Sequence, residues 1–104
     1  MMKWKNTDGW DLSDMTEVIA MSNNYSLADS EKRPIIAFAS SAASKVLTLG
    51  LADGQGAIIV NTGGTNAVTV KNVSGDTGTS VAAGKCALVI GSSTADGSTV
   101  LVLN

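Results

Sequence analysis

From residue 45 onward the chain is written in short runs of β-branched residues separated by glycine, asparagine and aspartate, and this pattern leaves room for little but strands and turns. At its centre, Ile58-Ile59-Val60 and Val68-Thr69-Val70 flank Asn61-Thr62-Gly63-Gly64-Thr65-Asn66. Valine, isoleucine and threonine are stiff at χ1 and suit a pleated surface, while glycine and asparagine tolerate the positive φ of a reversal. The spacing predicts a β-hairpin with a loop longer than two residues. Further strands are expected at Ile35-Ile-Ala-Phe-Ala39, Val46-Leu-Thr-Leu49, around Val81, at residues 85–90 and at residues 98–103. Turn signals fall at Ala52-Asp53-Gly54, at residues 74–79 and at residues 91–97. Turns at that spacing, with no helical period between them, predict an all-β domain, a small β-sandwich or barrel.

Two details refine this expectation. Val68, Val70 and Asn72 alternate onto one face, whereas residues 57–60 and 86–90 are apolar throughout. The latter are expected to be central strands, or strands that another subunit covers. Only 4% of residues are aromatic against 44% hydrophobic, so the core must be built from Val, Ile, Leu and Ala. A domain of 104 residues with such small core side chains gains from association with a partner or with copies of itself.

The composition changes at Pro34, the sole proline. Residues 1–33 hold both tryptophans, the tyrosine, all four methionines, six acids and four bases; residues 34–104 hold ten of the eleven glycines and three charges of each sign. The sequence therefore predicts an N-terminal arm over 1–33 and a β-domain over 34–104. Within the arm, Leu12, Met15, Val18 and Ile19 share one face of a short helix, with Asp14 as N-cap and Glu17 three residues on. Two turns do not stand alone, so this face needs support. Trp4, Trp10 and Tyr25 frame it. They either fill gaps against the β-domain or, with Leu12, Met15 and Ile19, anchor the arm on another protein.

The chemistry that the residues permit is narrow. There is no histidine, which removes the base of a Ser-His-Asp arrangement and the usual Cys/His metal site. The single Cys86 lies in an apolar run and reads as a small buried hydrophobe. The Asp-Gly and Gly-Asp pairs read as turns, since no loop converges several oxygen ligands. Gly63-Gly64 and Gly54-Gln-Gly56 are followed by strands rather than by the helix a phosphate loop needs. No catalytic, cofactor-binding or metal-binding residue is expected, and the chain is not expected to be an enzyme. A net charge of −2 with scattered bases argues against nucleic acid, and the want of a long apolar run argues against a spanning helix. The first residues are not expected to act as a signal peptide.

The run from Val46 to Gly78 and the run from Val81 to Ser93 resemble the capsid-proximal part of tailed-bacteriophage head fibre and head decoration proteins. The resemblance is carried by Asn61-Thr-Gly-Gly-Thr-Asn-Ala-Val-Thr-Val-Lys-Asn72 and Ala82-Ala-Gly-Lys-Cys-Ala-Leu-Val-Ile-Gly91, and the two runs cover 46 of the 104 residues. It implies a non-enzymatic virion protein on the outer capsid surface, made in the host cytoplasm. Its implied partners are the major capsid protein and itself, as a trimer or dimer. With no long shaft before Asn104, the expectation is a compact decoration or cement protein, with residues 1–33 as an arm along the capsid. A tail or tail-tip component is the next reading. A carbohydrate-binding adhesion module is a third, weakened because only Phe38 supplies an aromatic ring after Pro34.

Overall fold

The computed structural model describes residues 18–103 and, as backbone, residues 3–5 and 9–11. Strands β1 (Lys3–Lys5) and β2 (Gly9–Asp11) pair antiparallel, with Trp4 opposite Trp10. The remaining strands are β3 (Val18–Met21), β4 (Tyr25–Ser26), β5 (Ile35–Ser40), β6 (Lys45–Thr48), β7 (Gly56–Asn61), β8 (Val68–Lys71), β9 (Thr79–Val81), β10 (Cys86–Ile90) and β11 (Thr99–Val102). Among the described residues a single 3-10 turn spans Asp29–Glu31. The strands form two mixed sheets, of five in the order β11-β10-β7-β5-β3 and of four in the order β4-β6-β8-β9. The all-β expectation holds at this level.

The two sheets share one core. From the five-stranded sheet come Met21, Ile36, Phe38, Ala57, Ile59, Ala87 and Val89; the four-stranded sheet contributes Leu47, Val68, Val70 and Val81. Each follows the period of two that strands impose. In β7 Ala57, Ile59 and Asn61 are buried while Gly56 and Ile58 are exposed, and in β8 Val68 and Val70 are buried. Fully burying an aliphatic side chain of this size contributes roughly 1.5–3 kcal/mol. β7 and β10 are internal strands of their sheet, as their unbroken apolar character predicts.

The chain passes from one sheet to the other three times in the same way. β3 leads to β4, β5 to β6 and β7 to β8, so β3, β5 and β7 run parallel in one sheet and β4, β6 and β8 run parallel in the other. Between the second and third passes the partners lie 23 residues apart in both sheets, Ile35 with Ile58 and Lys45 with Val68. Two arcs of equal length are therefore stacked in register.

Three sequence expectations change here. The predicted hairpin does not form: β7 and β8 lie in different sheets, and residues 62–67 cross between them. That many residues are ample to cross the roughly 10 Å between packed sheets, which lets Ile59 and Val70 enter one core from different sheets. The short helix fails at its C-terminal half, because Val18 and Ile19 are strand residues paired in parallel with Ala37 and Phe38. An existing sheet edge offers two β-branched residues a full ladder, which an unsupported two-turn helix cannot match. Leu12, Met15 and the Asp14 cap lie outside the described residues.

The composition break at Pro34 is likewise no break in the packing. β3 and β4, both before it, are strands of the two sheets, and Met21 and Leu27 are in the core. Charge and ring content separated residues 18–33 from the rest, but their short apolar runs are continuous with it.

Candidate interaction surface

If Ile36, Phe38, Ile59 and Val89 face the core, their neighbours along each strand face outward. Register lines these outward residues into rows. One row runs Leu101, Leu88, Ile58 and Ile35 across four strands. The next runs Cys86, Val60, Ala37 and Val18. Ile90 stands opposite Gly56, and Ala39 opposite Ala20. No residue of these rows carries a charge. Five strands at the usual spacing make a face roughly 20 by 16 Å, comparable with the apolar patches that serve as binding sites on small proteins.

Cover over this face is uneven. Val18 is 53% exposed, Ile58 39%, Ile90 38% and Leu101 55%, whereas Ile35 and Ala37 retain only 8% and 2%. β11 differs from every internal strand. Leu101 points outward, Val102 points to the core side, and both are exposed, as is Leu103 beyond them.

The loops at one end are fastened by carboxylates. Asp53 accepts from the Ser93 N–H at 2.6 Å, linking residues 51–55 to residues 91–98. Asp76 accepts from the N–H groups of Asn72 and Val73 at 2.9 and 3.1 Å and from Asp96 at 2.6 Å. Asp96 returns the bond by accepting from the Thr77 N–H at 2.6 Å. Burial pushes the Asp76 carboxyl up, but the N–H groups of Asp96, Val73 and Asn72 outweigh it and hold the group below the usual carboxylate range. Asp53 is lowered by the backbone N–H and then the hydroxyl of Ser93. These oxygens are occupied by the protein's own donors, so the acids act as loop fasteners.

Two buried asparagines do similar work inside. Asn61, fully buried at the end of β7, donates to the carbonyls of Asn66 and Val81 at 3.0 and 2.9 Å and accepts from the Gly63 N–H at 3.0 Å. Asn72, just past β8, accepts from the Leu51 N–H and donates to the carbonyls of Leu51 and Ser92. Sequence reading placed Asn72 on one face with Val68 and Val70 but missed the roles of both asparagines. The available signal was an asparagine at the end of each β-rich run, within three residues of a turn-forming glycine, Gly63 or Gly75.

Of the expected anchors, Trp4 and Trp10 are cross-strand partners in β1 and β2. Ile19 and Tyr25 belong to the body, partly buried and packed against the core. The Tyr25 hydroxyl lies 2.8 and 2.7 Å from the two Glu31 carboxylate oxygens, to which it donates. That carboxylate also accepts from the Ala28 N–H at 2.8 Å. Tyr25 thus secures the 3-10 turn with the polar end of its ring. Leu12 and Met15 fall outside the described residues, so nothing here brings the six together.

Among the described residues no group of three or more Cys, Asp or Glu side chains is placed to hold a metal, and no helix is long and apolar enough to cross a membrane. A hollow of about 420 Å³ between residues 20–22, 39–41 and 63–64 has no titratable side chain in its lining. A scan against family models and searches of curated proteins and solved structures find no match to this chain.

Proposed function

We propose that this chain is a non-enzymatic virion structural protein that decorates or cements the outer surface of a phage capsid. On this reading the two sheets form a small β-sandwich. Its partners are the major capsid protein and further copies of itself, and it resides on the capsid after synthesis in the host cytoplasm. The observation that supports it best is the uncharged outer face of the five-stranded sheet, which leaves apolar area for a neighbour to bury. The sequence resemblance over 46 residues supplies the address. The mechanism is contact area: a rigid β-body bridging capsid subunits resists their separation, with the segment before Val18 reaching along the surface.

The test is co-sedimentation of the purified chain with expanded capsids that lack it, quantified per capsid. Saturation at the number of a symmetry-related set of sites, with a raised capsid melting temperature, is the expected result. Absence of binding to heads overturns the reading.

A further inference from the structure

We propose that β11 is the seam of a symmetric dimer, pairing antiparallel with β11 of a second copy. This deepens the self-association in the function above by naming the strand that carries it. Sheet edges are normally blunted with lysine, proline or a bulge, because an open edge templates pairing with another chain. Thr99–Val102 carries none of these residues. Its side chains are also bare on both sides of the sheet: Leu101 at 55% on the outer face and Val102 at 40% on the other, with Leu103 following at 49%. β11 ends the order of its sheet and pairs with no other described strand but β10.

The hydrogen-bond phase says which groups are open. The Leu103 N–H donates to the Cys86 carbonyl, so the odd-numbered residues of β11 turn their backbone groups toward β10. Val100 and Val102 therefore turn theirs to the free edge. A twofold axis at Leu101 sets Val100 opposite Val102 of the second copy, twice, closing about four backbone hydrogen bonds. Leu101 then faces its own copy in the close, non-hydrogen-bonded position. The antiparallel order of β10 and β11 continues through the seam, and the uncharged outer faces of both copies join without like-charge contact.

Area sets the strength. Three half-exposed aliphatic side chains offer far less than the roughly 800 Å² per partner of a standard interface, so the seam makes a weak, concentration-dependent dimer.

Sedimentation velocity of the full chain alone, from about 5 μM to about 1 mM, reads the equilibrium without any capsid, so a failure here is separable from a failure of capsid binding. Val102→Pro removes an N–H that faces the free edge and no ladder bond within the chain, and proline is tolerated at such edge positions. Leu101→Lys places a charge at the twofold. The wild type is expected to shift from monomer to dimer, and both variants to weaken the dimer at least about tenfold with the far-ultraviolet circular dichroism kept. If Val102→Pro does not fold, Leu101→Lys decides. A wild type that stays monomeric, a dimer that persists in Leu101→Lys, or a species that grows past two copies overturns the twofold seam. The last would indicate β11 pairing head-to-tail on β3.

Discussion

The side-chain amide of Asn72 satisfies both backbone groups of Leu51, accepting from its N–H at 2.7 Å and donating to its carbonyl at 3.0 Å. One side chain thereby replaces a strand partner for a residue that has left the sheets. A third bond, to the Ser92 carbonyl at 2.9 Å, ties in the loop before β11. Asn72→Ala strands these buried groups together, and leaving such groups unpaired costs about 1–3 kcal/mol each before relaxation. The expected loss is roughly 3 kcal/mol, read as a lower urea midpoint at unchanged slope. A loss below about 0.5 kcal/mol would show that water replaces the amide.

Glycine is required at Gly78 for two reasons. Its φ is +88°, and a Cβ there would lie 2.6 Å from Thr69 Cγ2 and 3.1 Å from Lys71 Cγ. Gly54 has a similar φ, +77°, with open space around it. Gly54→Ala should cost about 1–2 kcal/mol from conformation alone. Gly78→Ala should cost clearly more, because β8 must also shift. Thermal denaturation of the pair separates the steric part from the conformational part, and equal losses would remove the steric argument.

Acid should loosen the loops fastened by Asp53 and Asp76. The folded pKa values of Asp53 and Asp76 lie below their unfolded ones, so their contribution is complete above about pH 4 and is lost as pH falls through the folded values. Urea midpoints should be flat near neutrality and drop below that range. Asp76→Asn should show a shallower acid-side drop. Tyr25 gives the opposite sign. Its hydrogen bond to Glu31, then burial, then the carboxylate charge raise the phenol pKa, so its contribution holds below about pH 10 and is lost above it. Tyr25→Phe should remove the alkaline loss, and an unchanged alkaline limb would exclude this pair as its source.

Two truncations distinguish an arm from a body. Removal of residues 1–17 leaves β3 through β11, and the product should keep a cooperative melt. Removal of residues 1–33 takes away β3, β4, Met21 and Leu27, opening edges on both sheets, and the product should lose cooperativity or aggregate. Only the shorter deletion can test docking by the N-terminal segment. If the longer deletion melts as sharply as the full chain, β3 and β4 are dispensable.

Most strands after Pro34 were legible in the sequence because β-branched runs and turn residues act locally. The shared face of Val68, Val70 and Asn72 was legible for the same reason, since alternation is local too; that this face is the buried one came from the structure. Pairing was not. Nothing in residues 61–66 distinguishes a loop that folds back within a sheet from one that crosses to another, because both need the same turn chemistry. The true clue was the shared offset that aligns Ile35 with Ile58 and Lys45 with Val68, a comparison between distant runs. Val18 and Ile19 were misread because their spacing from Leu12 and Met15 fits a helix, while a sheet edge 19 residues along, at Ala37 and Phe38, decides the outcome. The unbroken apolar runs at 57–60 and 86–90 hinted at an apolar outer face, but its rows across the sheet needed register to be seen.

Because the arc of β5 and β6 and the arc of β7 and β8 are offset equally in both sheets, one unit of chain laid on the stack between them reproduces the conditions it met. Its inward residues find the same core, its corners the same crossing distance, and its free edge is again a parallel template. Such a body has no intrinsic length. Duplicating the segment from Ile35 to Ala57 would add a rung about 4.8 Å tall while leaving the antiparallel β9–β11 closure where it is. The height of the protein is thus a separable variable, adjustable by copying rather than by redesign.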